Sequence, residues 1–433
     1  MKMATYSDVI CPFCGCLCDD IEITVENNKV VNTKNSCAIS RSKFIKNDWG
    51  RIIFPTINGE PAPYEKAIDE AVKILSSARR PLVYGLSKTD NEAIREAIHL
   101  TELVGGVIDS TTTVCHGASI IAMQNTGVAT TTLGEVKNRA DLIVFWGSNP
   151  AEAHPRHFQR YSVTPKGKYT PNGRSGRYIV VVDVRETRSS KLADQFIRIT
   201  PNSDFDVLQA LRALVRGQKL SVGEVGGVQI NILEELVDRM KGTKVGCVFY
   251  GLGLNQSEGR HMNVDAMYSL VSELNHHTKF ACNPMRGCFN VTGANMVTTW
   301  QTGYPFAVDF SRGYPRYNPG EYTAVDLLAR EEVDAALIMG SDPASTFPLE
   351  AARHLSKIPV VTLERKETPT SMISKVVIPV ATSGIETDGT AYRMDYVPLK
   401  LRKVVDPPQG VFSDAVVLRD IIERIKALEV DSI

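Results

Sequence analysis

The chain has 433 residues, of which 43% are hydrophobic and 23% charged, as in ordinary folded globular proteins. This length predicts two or three domains, because a single hydrophobic core seldom grows so large. Lys plus Arg and Asp plus Glu both number 49, so the balanced charge gives no reason to expect nucleic acid or an anionic membrane as a partner. No stretch approaches the roughly 20 apolar residues of a membrane span. No apolar run precedes the first cysteines, so we expect a soluble, cytoplasmic protein.

The first segment, to about residue 55, is predicted to form a small module of its own. It begins with several cysteines, and the chain after them has the pattern of a β-hairpin. Ile21–Val25 alternates as a strand does, residues 26–28 turn, and Lys29–Val31 returns. The hairpin would carry the chain back towards Cys37.

From Pro63 onwards the sequence changes to an α/β pattern. The predicted helices are Tyr64–Ser77, Asn91–Leu103 and Asp414–Leu428, and the predicted strands are Pro81–Tyr84, Leu142–Trp146, Tyr178–Val184, Val245–Tyr250, Ala335–Met339 and Pro359–Thr362. Most of these strands are short β-branched runs that end in Gly or Asp, which indicates parallel βαβ units. We find no fixed-period repeat, and Pro165–Arg177 is predicted to be an exposed loop. Because ligands bind beyond the carboxyl ends of such strands, contacts are expected in the loops GSNPAEAHP, DVRETR, YGLGLNQSEG and GSDPAS.

Five of the nine cysteines lie near the beginning of the chain, which predicts a metal site rather than a disulfide framework. Their spacing is Cys11-x2-Cys14-x3-Cys18, followed by Cys37 after eighteen residues. Four thiolates suit a [4Fe-4S] cluster or a tetrahedral zinc ion. The unequal spacing favours the cluster over the paired knuckles of zinc modules. Cys16 lies inside the loop and could replace one of its neighbours as a ligand.

A second candidate site is the pair Cys115-His116 within TTTVCHGAS. A soft thiolate could bind a heavy metal, and the histidine could carry a proton with a pKa near the working pH. The alternative is a small buried hydrophobe followed by a hydrogen-bonded histidine. The pair does not decide between these interpretations without its context.

Five segments, taken together, resemble the molybdopterin oxidoreductases that include formate dehydrogenase. They follow the family order from residue 11 to residue 390 and so cover nearly the whole chain. They are the cysteine loop with its hairpin, DLIVFWGSNPAEAHP (Asp141–Pro155), VVDVRETRSSKLADQFIRITPNSDFDVL (Val181–Leu208), RGCFNVTGAN (Arg286–Asn295) and SKVVIPVATSGIETDGT (Ser374–Thr390).

The resemblance implies a fold and a domain organisation. We expect a small N-terminal iron–sulfur module and two Rossmann-like α/β domains with parallel sheets that bind a bis-molybdopterin guanine dinucleotide. The expected domains are 1–55, joined by 282–320, for the cluster module; 56–110 with 244–433 for one α/β domain; and 111–243 for the other. The C-terminal β-barrel domain of the family is expected to be absent, so a separate small β-barrel subunit would supply it.

The resemblance also implies roles for individual residues. Cys115 would ligate tungsten or molybdenum, with His116 and Arg286 as further catalytic residues, and Cys11, Cys14, Cys18 and Cys37 would bind the [4Fe-4S] cluster. Two molybdopterin guanine dinucleotides would contact Gly147, Asn149, His154, Asp183, Arg185, Asp204, Gly251, Gly253, Gln256, Gly340, Asp342 and Gly389. Glycines let backbone N–H groups approach phosphates, whereas Asp183 and Asp204 can accept guanine N–H groups or a ribose hydroxyl. Turn geometry and helix capping are the alternatives for these residues.

Four further residues lie near these proposed sites. Arg41 or Lys43 could bridge the cluster and the pterin, or be a solvated surface charge. Cys282 and Cys288 flank Arg286 and are expected to serve in packing.

Within the family, the region of Cys115-His116 and the chain length resemble the B subunits of formylmethanofuran dehydrogenase. This resemblance implies reduction of CO2 to formate with electrons from the cluster, as part of methanogenesis. An amidohydrolase-type subunit would use the formate to formylate methanofuran, and ferredoxin-like or polyferredoxin subunits would deliver electrons. The alternatives are another formate dehydrogenase-like enzyme or a nitrate reductase, an electron-transfer scaffold without pterin, and a zinc-binding scaffold. The sequence does not distinguish tungsten from molybdenum.

Overall fold

A computed structural model describes the backbone of residues 3–431 and the side chains of residues 3–428. Contacts divide the chain into two compact α/β units. The first contains the described residues of Met1–Thr113, Cys288–Arg393 and Pro398–Ile433, and the second contains Val114–Gly287 and Met394–Val397. The second unit continues past residue 243, where the sequence placed its end, because Val245–Tyr250 pairs in parallel with Leu142–Trp146.

The first unit is built on a nine-stranded sheet whose five central strands are parallel. The strands in spatial order are Arg316–Tyr317, Val308–Asp309, Val107–Ser110, Pro81–Gly85, Ala335–Met339, Val360–Glu364, Val376–Pro379, Thr56–Ile57 and Glu60–Pro61. The central strands are buried over their whole length, which explains why they are nearly continuous apolar runs. The helices of this unit are Ala38–Ile45, Tyr64–Ser77, Asn91–Leu103, Val291–Thr302, Ala324–Ala329, Pro343–Thr346, Leu349–Leu355, Pro369–Ile373 and Asp414–Asp431.

The N-terminal hairpin belongs to the first unit. Met3–Val9, Ile21–Glu26 and Lys29–Lys34 form a three-stranded antiparallel sheet, and the cysteine loop connects its first two strands. Leu17, in the middle of that loop, has a left-handed backbone with φ 37°. Its side chain is buried in a small core with Ile10, Phe289, Ala391 and Leu401, the last two from the hairpin Gly389–Tyr392 and Pro398–Leu401. The cysteine loop is therefore anchored by a hydrophobic side chain at its centre.

The second unit is built on a five-stranded sheet, and all of its strands are parallel. In spatial order they are Gln195–Arg198, Tyr178–Asp183, Leu142–Trp146, Val245–Tyr250 and Lys279–Pro284. The α-helices are Gly117–Thr126, Leu133–Arg139, Pro150–Ala153, Asp204–Val215, Ile230–Gly242, Leu252–Gln256 and His261–Leu274, with the small hairpin Glu224–Val225 and Val228–Gln229. The short helix Thr112–Cys115 begins in the first unit and ends in the second.

The strand order of the second unit reverses next to Leu142–Trp146. The two strands that follow in sequence lie on one side of it, and Val245–Tyr250 and Lys279–Pro284 lie on the other. Such a reversal opens a crevice at the carboxyl ends of the strands, where open α/β sheets bind ligands. Among residues 3–431, no helix is long and apolar enough to cross a membrane.

Candidate functional site: two cysteine centres and a switch-point crevice

The cysteine loop of the first unit brings four thiols close together. The backbone N–H of Cys11 donates to the carbonyl of Cys18 at 2.9 Å, and Leu17 N–H donates to Cys14 O at 3.1 Å, so the loop is closed on itself. Burial and the charges of Cys14 and Cys18 raise the pKa of Cys11. A hydrogen bond with Cys14 and burial likewise raise the pKa of Cys16. Cys16 therefore lies among the predicted ligands instead of pointing away from them.

Cys37 is connected to this loop through Ser40. The Cys11 thiol donates to Ser40 Oγ at 3.3 Å, and Ser40 N–H donates to Cys37 Sγ at 3.4 Å. Cys37 is thus the N-cap of helix Ala38–Ile45. Over the described residues, no three His, Cys, Asp or Glu side chains converge closely enough to enclose a single metal ion. Binding of a [4Fe-4S] cluster by Cys11, Cys14, Cys18 and Cys37 therefore stays a prediction.

The pair Cys115-His116 lies in the second unit, where the short helix Thr112–Cys115 is followed by the helix Gly117–Thr126. Cys115 ends the helix Thr112–Cys115, and His116 precedes the helix Gly117–Thr126. Cys115 is partly exposed, whereas His116 is fully buried. The thiol can therefore reach a ligand, while the imidazole is enclosed by protein.

His116 is held on its Nδ1 side by two polar side chains. Asn255 Nδ2 lies 3.1 Å and Ser119 Oγ lies 3.2 Å from Nδ1. Burial, followed by the positive charge of Arg286, lowers the pKa of His116 to about 3. The expected pKa near the working pH was therefore wrong, because the sequence does not reveal that the ring is enclosed.

Arg286 is completely buried in the same unit. Its Nη2 donates to the hydroxyl of Tyr396 at 3.5 Å, and its guanidinium carbon lies 5.5 Å from the centre of that ring. His154 Nε2 donates to the Arg286 carbonyl at 2.8 Å, so His154 holds the backbone that carries the guanidinium. Sequence reasoning missed Tyr396, which is in a left-handed conformation with φ 65°.

Three predicted glycines meet at the switch point of the second unit. Gly251 N–H donates to Trp146 O, and Gly253 N–H donates to Gly147 O at 2.9 Å. A Cβ atom on Gly253 would lie 2.7 Å from Gly147 Cα, and one on Gly251 would lie 2.6 Å from Gly147 O. All three positions therefore exclude side chains because the two loops pass in backbone contact.

Two predicted carboxylates face a cavity of about 190 Å³ next to these glycines. The cavity is lined by Gly147, Val182, Asp183, Val184, Ile199, Pro201, Asn202, Asp204, Gly253 and Ser257. Asp204 accepts from Trp146 Nε1 at 2.7 Å, and burial raises the pKa values of both Asp183 and Asp204. Arg185 is exposed, and its backbone N–H donates to Asp183 Oδ1 at 3.3 Å. The crevice thus offers hydrogen-bond acceptors to a ligand.

The turn of Gly147-Ser148-Asn149-Pro150 follows strand Leu142–Trp146. Gly147 has φ 53° and donates its N–H to Val182 O on the next strand. Asn149 Oδ1 accepts from the Ser189 hydroxyl at 2.7 Å, and Ser189 Oγ in turn accepts from Ala151 N–H at 3.1 Å.

The first unit contains an almost identical turn, Gly340-Ser341-Asp342-Pro343, after strand Ala335–Met339. Gly340 has φ 55° and donates to Leu363 O on the next strand. Asp342 Oδ1 accepts from the Thr370 hydroxyl at 2.6 Å, and Thr370 Oγ1 accepts from Ala344 N–H at 3.0 Å. The two units therefore contain the same turn with the same hydrogen bonds, and each copy is a candidate half of a repeated binding site.

The correspondence extends along the next strand of each unit. Asp183 and Glu364 end the two strands, and in both units a Glu-Thr pair begins three residues later. In both units that threonine and the serine three residues later, Thr187 with Ser190 and Thr368 with Ser371, bond reciprocally. Sequence reasoning missed Glu364, a buried carboxyl group whose pKa is raised by burial.

Some predicted cofactor contacts have protein partners instead. The exposed Gln256 donates its Nε2 to Val114 O at 3.0 Å. A Cβ atom on Gly389 would lie 2.9 Å from Asp90 Cβ, so close packing alone requires this glycine. These contacts support structural roles for both residues.

The two cysteines near Arg286 and the two basic residues after Cys37 differ in their exposure. Cys282 is buried in the core of the second unit, which supports the expected packing role. Cys288 is partly exposed. Arg41 and Lys43 are both exposed, and the Lys43 ammonium lies 5.3 Å from the ring centre of Phe13, within the cysteine loop.

Comparison with known proteins gives consistent matches over most of the chain. The family described as molybdopterin oxidoreductase matches residues 65–424. The B subunit of the tungsten-containing formylmethanofuran dehydrogenase 2 of Methanocaldococcus jannaschii is 47% identical over 97% of this chain and 98% of that protein. The protein of the same name from Methanococcus maripaludis is 43% identical over 99% of this chain and 100% of that protein.

Two solved structures have a similar fold at low sequence identity. The formyltransferase/hydrolase complex of Methylorubrum extorquens with methylofuran contains a chain with TM-score 0.71 and 21% identity, covering 87% of this chain and 99% of that one. Acetylene hydratase from Pelobacter acetylenicus matches with TM-score 0.75 and 14% identity, over 97% of this chain and 69% of that one. At these identities the likeness concerns the fold alone.

Proposed function

This chain belongs to the molybdopterin oxidoreductase family, and we propose that it is the catalytic redox subunit of a formylmethanofuran dehydrogenase. In this role it reduces CO2 to formate at a tungsten or molybdenum centre. A separate amidohydrolase-type subunit then uses the formate to formylate methanofuran. One observation carries the proposal: Cys115, His116 and Arg286 occur together in one unit of a chain that matches formylmethanofuran dehydrogenase subunits over nearly its full length.

The donor set of the second unit fits a pterin-bound heavy metal. Cys115 offers a partly exposed thiol, the kind of soft ligand that tungsten or molybdenum takes. The helix Leu252–Gln256 lines the crevice with Gly253 and contacts Val114 with Gln256, so the crevice and the thiol are joined by one short element. Cys115 would hold the metal, and the crevice would hold part of its dinucleotide.

When bound, the metal pterin would supply the two-electron exchange between CO2 and formate. Arg286 would bind the formate carboxylate, because a guanidinium offers a rigid fork of N–H donors and stays positively charged. Tyr396 and His154 would hold that fork in place through the contacts described above. His116 would provide an uncharged imidazole beside it, since burial opposes its protonation.

The repeated half-site supports two dinucleotides rather than one. Each unit has a Gly-Ser-x-Pro turn whose glycine has positive φ, and each has an acidic residue at the end of the next strand. A carboxylate can accept the paired N–H groups of guanine. We therefore assign one molybdopterin guanine dinucleotide to Gly147 with Asp183, and a second to Gly340 with Glu364.

A [4Fe-4S] cluster on the first unit would feed electrons to this centre. Its proposed ligands are Cys11, Cys14, Cys18 and Cys37, supported by the closed loop and by the link through Ser40. Ferredoxin-like or polyferredoxin subunits would reduce the cluster. A small β-barrel subunit that contacts the pterin is a further proposed partner, as the family resemblance implies.

The metal content of the purified complex tests this proposal. We expect tungsten or molybdenum near one per copy of this chain, together with two guanine nucleotides released per metal on acid hydrolysis. The matched control is a complex with Cys115→Ser, in which the metal-to-chain ratio should fall while iron is retained. Zinc bound in place of tungsten and molybdenum would contradict the redox function and leave a scaffold.

A further inference from the structure

The short helix Leu252–Gln256 contains the crevice glycine Gly253. Its last two residues contact Val114 and His116, which precede and follow Cys115. We infer that Asn255 on this helix is a positioning residue that fixes His116 in the tautomer with its proton on Nε2. The hydrogen-bond geometry that supports the inference is independent of the reaction. Its consequence for catalysis rests on the proposed function, because that function gives His116 a place beside the reacting atoms.

The orientation of the Asn255 amide is determined by a backbone carbonyl. Asn255 Nδ2 lies 3.1 Å from the carbonyl oxygen of Gly251, an atom that can only accept. The amide nitrogen must therefore face Gly251, and Oδ1 faces the opposite side. On that side the Ser119 hydroxyl donates to Oδ1 at 2.6 Å. Exchange of the amide nitrogen and oxygen would lose the bond to Gly251.

This orientation leaves one proton pattern for the imidazole. The second hydrogen of Asn255 Nδ2 points at His116 Nδ1 over 3.1 Å, so Nδ1 must offer a lone pair. Ser119 Oγ lies 3.2 Å from Nδ1, and because its single hydrogen is directed at Asn255 it could bond Nδ1 only by accepting a hydrogen bond from it. That pattern would set Nδ1–H against the Asn255 amide N–H over 3.1 Å, so the neighbouring amide disfavours it. With Nδ1 as the acceptor, the proton of the neutral ring is on Nε2.

Burial keeps these three side chains in a single arrangement. His116, Ser119 and Asn255 are all buried, so water does not compete for their hydrogen bonds. The same helix also holds the residue before Cys115, because Gln256 Nε2 donates to Val114 O at 3.0 Å. Neighbouring side chains of one helical turn thus hold the backbone before Cys115 and the ring of His116.

The functional consequence is that His116 presents a hydrogen-bond donor, not an acceptor, on its other side. Among the side chains and backbone that the structure describes, no group meets Nε2 in hydrogen-bond geometry. Nε2 is enclosed by protein in the part of the chain that the structure describes. In the proposed function, formate held by Arg286 would lie beside His116, and a donor at Nε2 would attract the formate oxygen. An acceptor in the same place would repel that oxygen.

The tautomer can be measured without turnover. The full chain is labelled with [15N]histidine and observed by solid-state 15N NMR, and the His116 signals are identified by their loss in His116→Gln. We expect a bare Nδ1 and a protonated Nε2 in the natural chain. In Asn255→Asp, the carboxylate would accept from Nδ1–H, so Nδ1 should give the signal of a protonated nitrogen and Nε2 that of a bare one. A protonated Nδ1 in the natural chain would overturn the inference, and this spectrum alone decides even if the variant does not fold.

Turnover of the complex provides the second readout. Asn255→Asp should lower kcat on the order of 10²-fold, with KM for formate changed less than about twofold, because the lost donor acts on the reacting oxygen. Asn275→Asp is the matched control, since it makes the same change in the same unit and contacts Val271 and Phe280 instead of His116. Equal kcat in Asn255→Asp and the control would also overturn the inference. A complex without formate activity but with the expected spectrum would contradict the proposed function alone.

Discussion

Both units have a Gly-Ser-x-Pro turn at the carboxyl end of a central parallel strand, Gly147–Pro150 in the second unit and Gly340–Pro343 in the first. The turns share backbone angles and the bonds of the third residue, made to Ser189 in one unit and Thr370 in the other. What surrounds them differs. The second unit contains Cys115, His116 and Arg286, whereas the first contains the cysteine loop. The same turn therefore occurs in two units that contain different sets of proposed functional residues.

The largest expected effect concerns the chemistry of the second unit. Cys115→Ala should abolish formate oxidation and CO2 reduction by the purified complex, because the metal would lose its protein ligand. The iron–sulfur absorption should persist, since the proposed cluster ligands are in the first unit. The measurement is turnover with an artificial electron carrier beside the visible spectrum.

The matched control for this variant is Cys282→Ala, which removes a thiol from the core of the same unit. It should retain turnover. If Cys115→Ala also retained turnover, Cys115 would not be the metal ligand.

The next effect concerns the chemistry of the first unit. Cys18→Ala should lose the four-iron signal in electron paramagnetic resonance, because a [4Fe-4S] cluster needs four ligands. Cys16→Ala makes the same change two residues earlier and should keep the signal. The reverse outcome would make Cys16 the ligand, in keeping with its place beside Cys14 in the loop.

The regular elements of both units were predictable because their signals are local. Helices Tyr64–Ser77 and Asn91–Leu103 and strand Leu142–Trp146 begin and end where the sequence placed them. The helix Asn91–Leu103 is capped by Asp90, whose side chain accepts from Ala93 N–H. Hydrophobic period and capping residues are read within one turn or one strand.

The repeated Gly-Ser-x-Pro turn and the hydrogen-bond partners of His116 were not predictable, because they depend on residues far apart in the sequence. The chain between the turn and the next strand differs in length between the units, so the sequence has no fixed period. Asn255 lies 139 residues from His116, and nothing near His116 indicates its partner. Arg177 was expected in an exposed loop, but its side chain donates to the Pro165 and Lys137 carbonyls and is buried.

Replacing the first glycine of each turn would separate the effect of the positive φ, which both turns share, from the effect of the neighbouring atoms, which differ. Gly147→Ala and Gly340→Ala both force alanine to a positive φ, at a cost of about 1–2 kcal/mol. At Gly147 the new Cβ would also lie 2.6 Å from the Leu254 backbone nitrogen, whereas at Gly340 it would lie 3.1 Å from Lys88 Cβ, a tight contact but a smaller overlap.

Gly147→Ala should therefore lower the free energy of unfolding by about 1–3 kcal/mol more than Gly340→Ala does. This difference corresponds to a midpoint of thermal unfolding that is lower by roughly 2–4 °C per kcal/mol. Calorimetry of the two variants measures it. Equal midpoints would mean that the loop of Gly251 and Gly253 can move away from the turn.

The smallest effect tests the third residue of each turn, which is ionisable only in the first unit. Burial opposes ionisation of Asp342, but hydrogen bonds from Ser345 and Thr370 outweigh it and leave its pKa below the usual value. The carboxylate therefore stabilises the fold above the unfolded pKa of about 4, and this contribution is lost as pH falls through the lower folded pKa. Asp342→Asn should lower the thermal midpoint more at pH 7 than at pH 3, because the contribution of the carboxylate decreases as the pH falls below about 4. The free energy of unfolding lost at pH 7 should be less than about 1 kcal/mol because the side chain is partly exposed. Asn149→Ala, at the equivalent neutral residue, should lower the midpoint equally at both pH values; a pH-dependent difference there would mean that the bonds to Ser189 depend on a titrating neighbour.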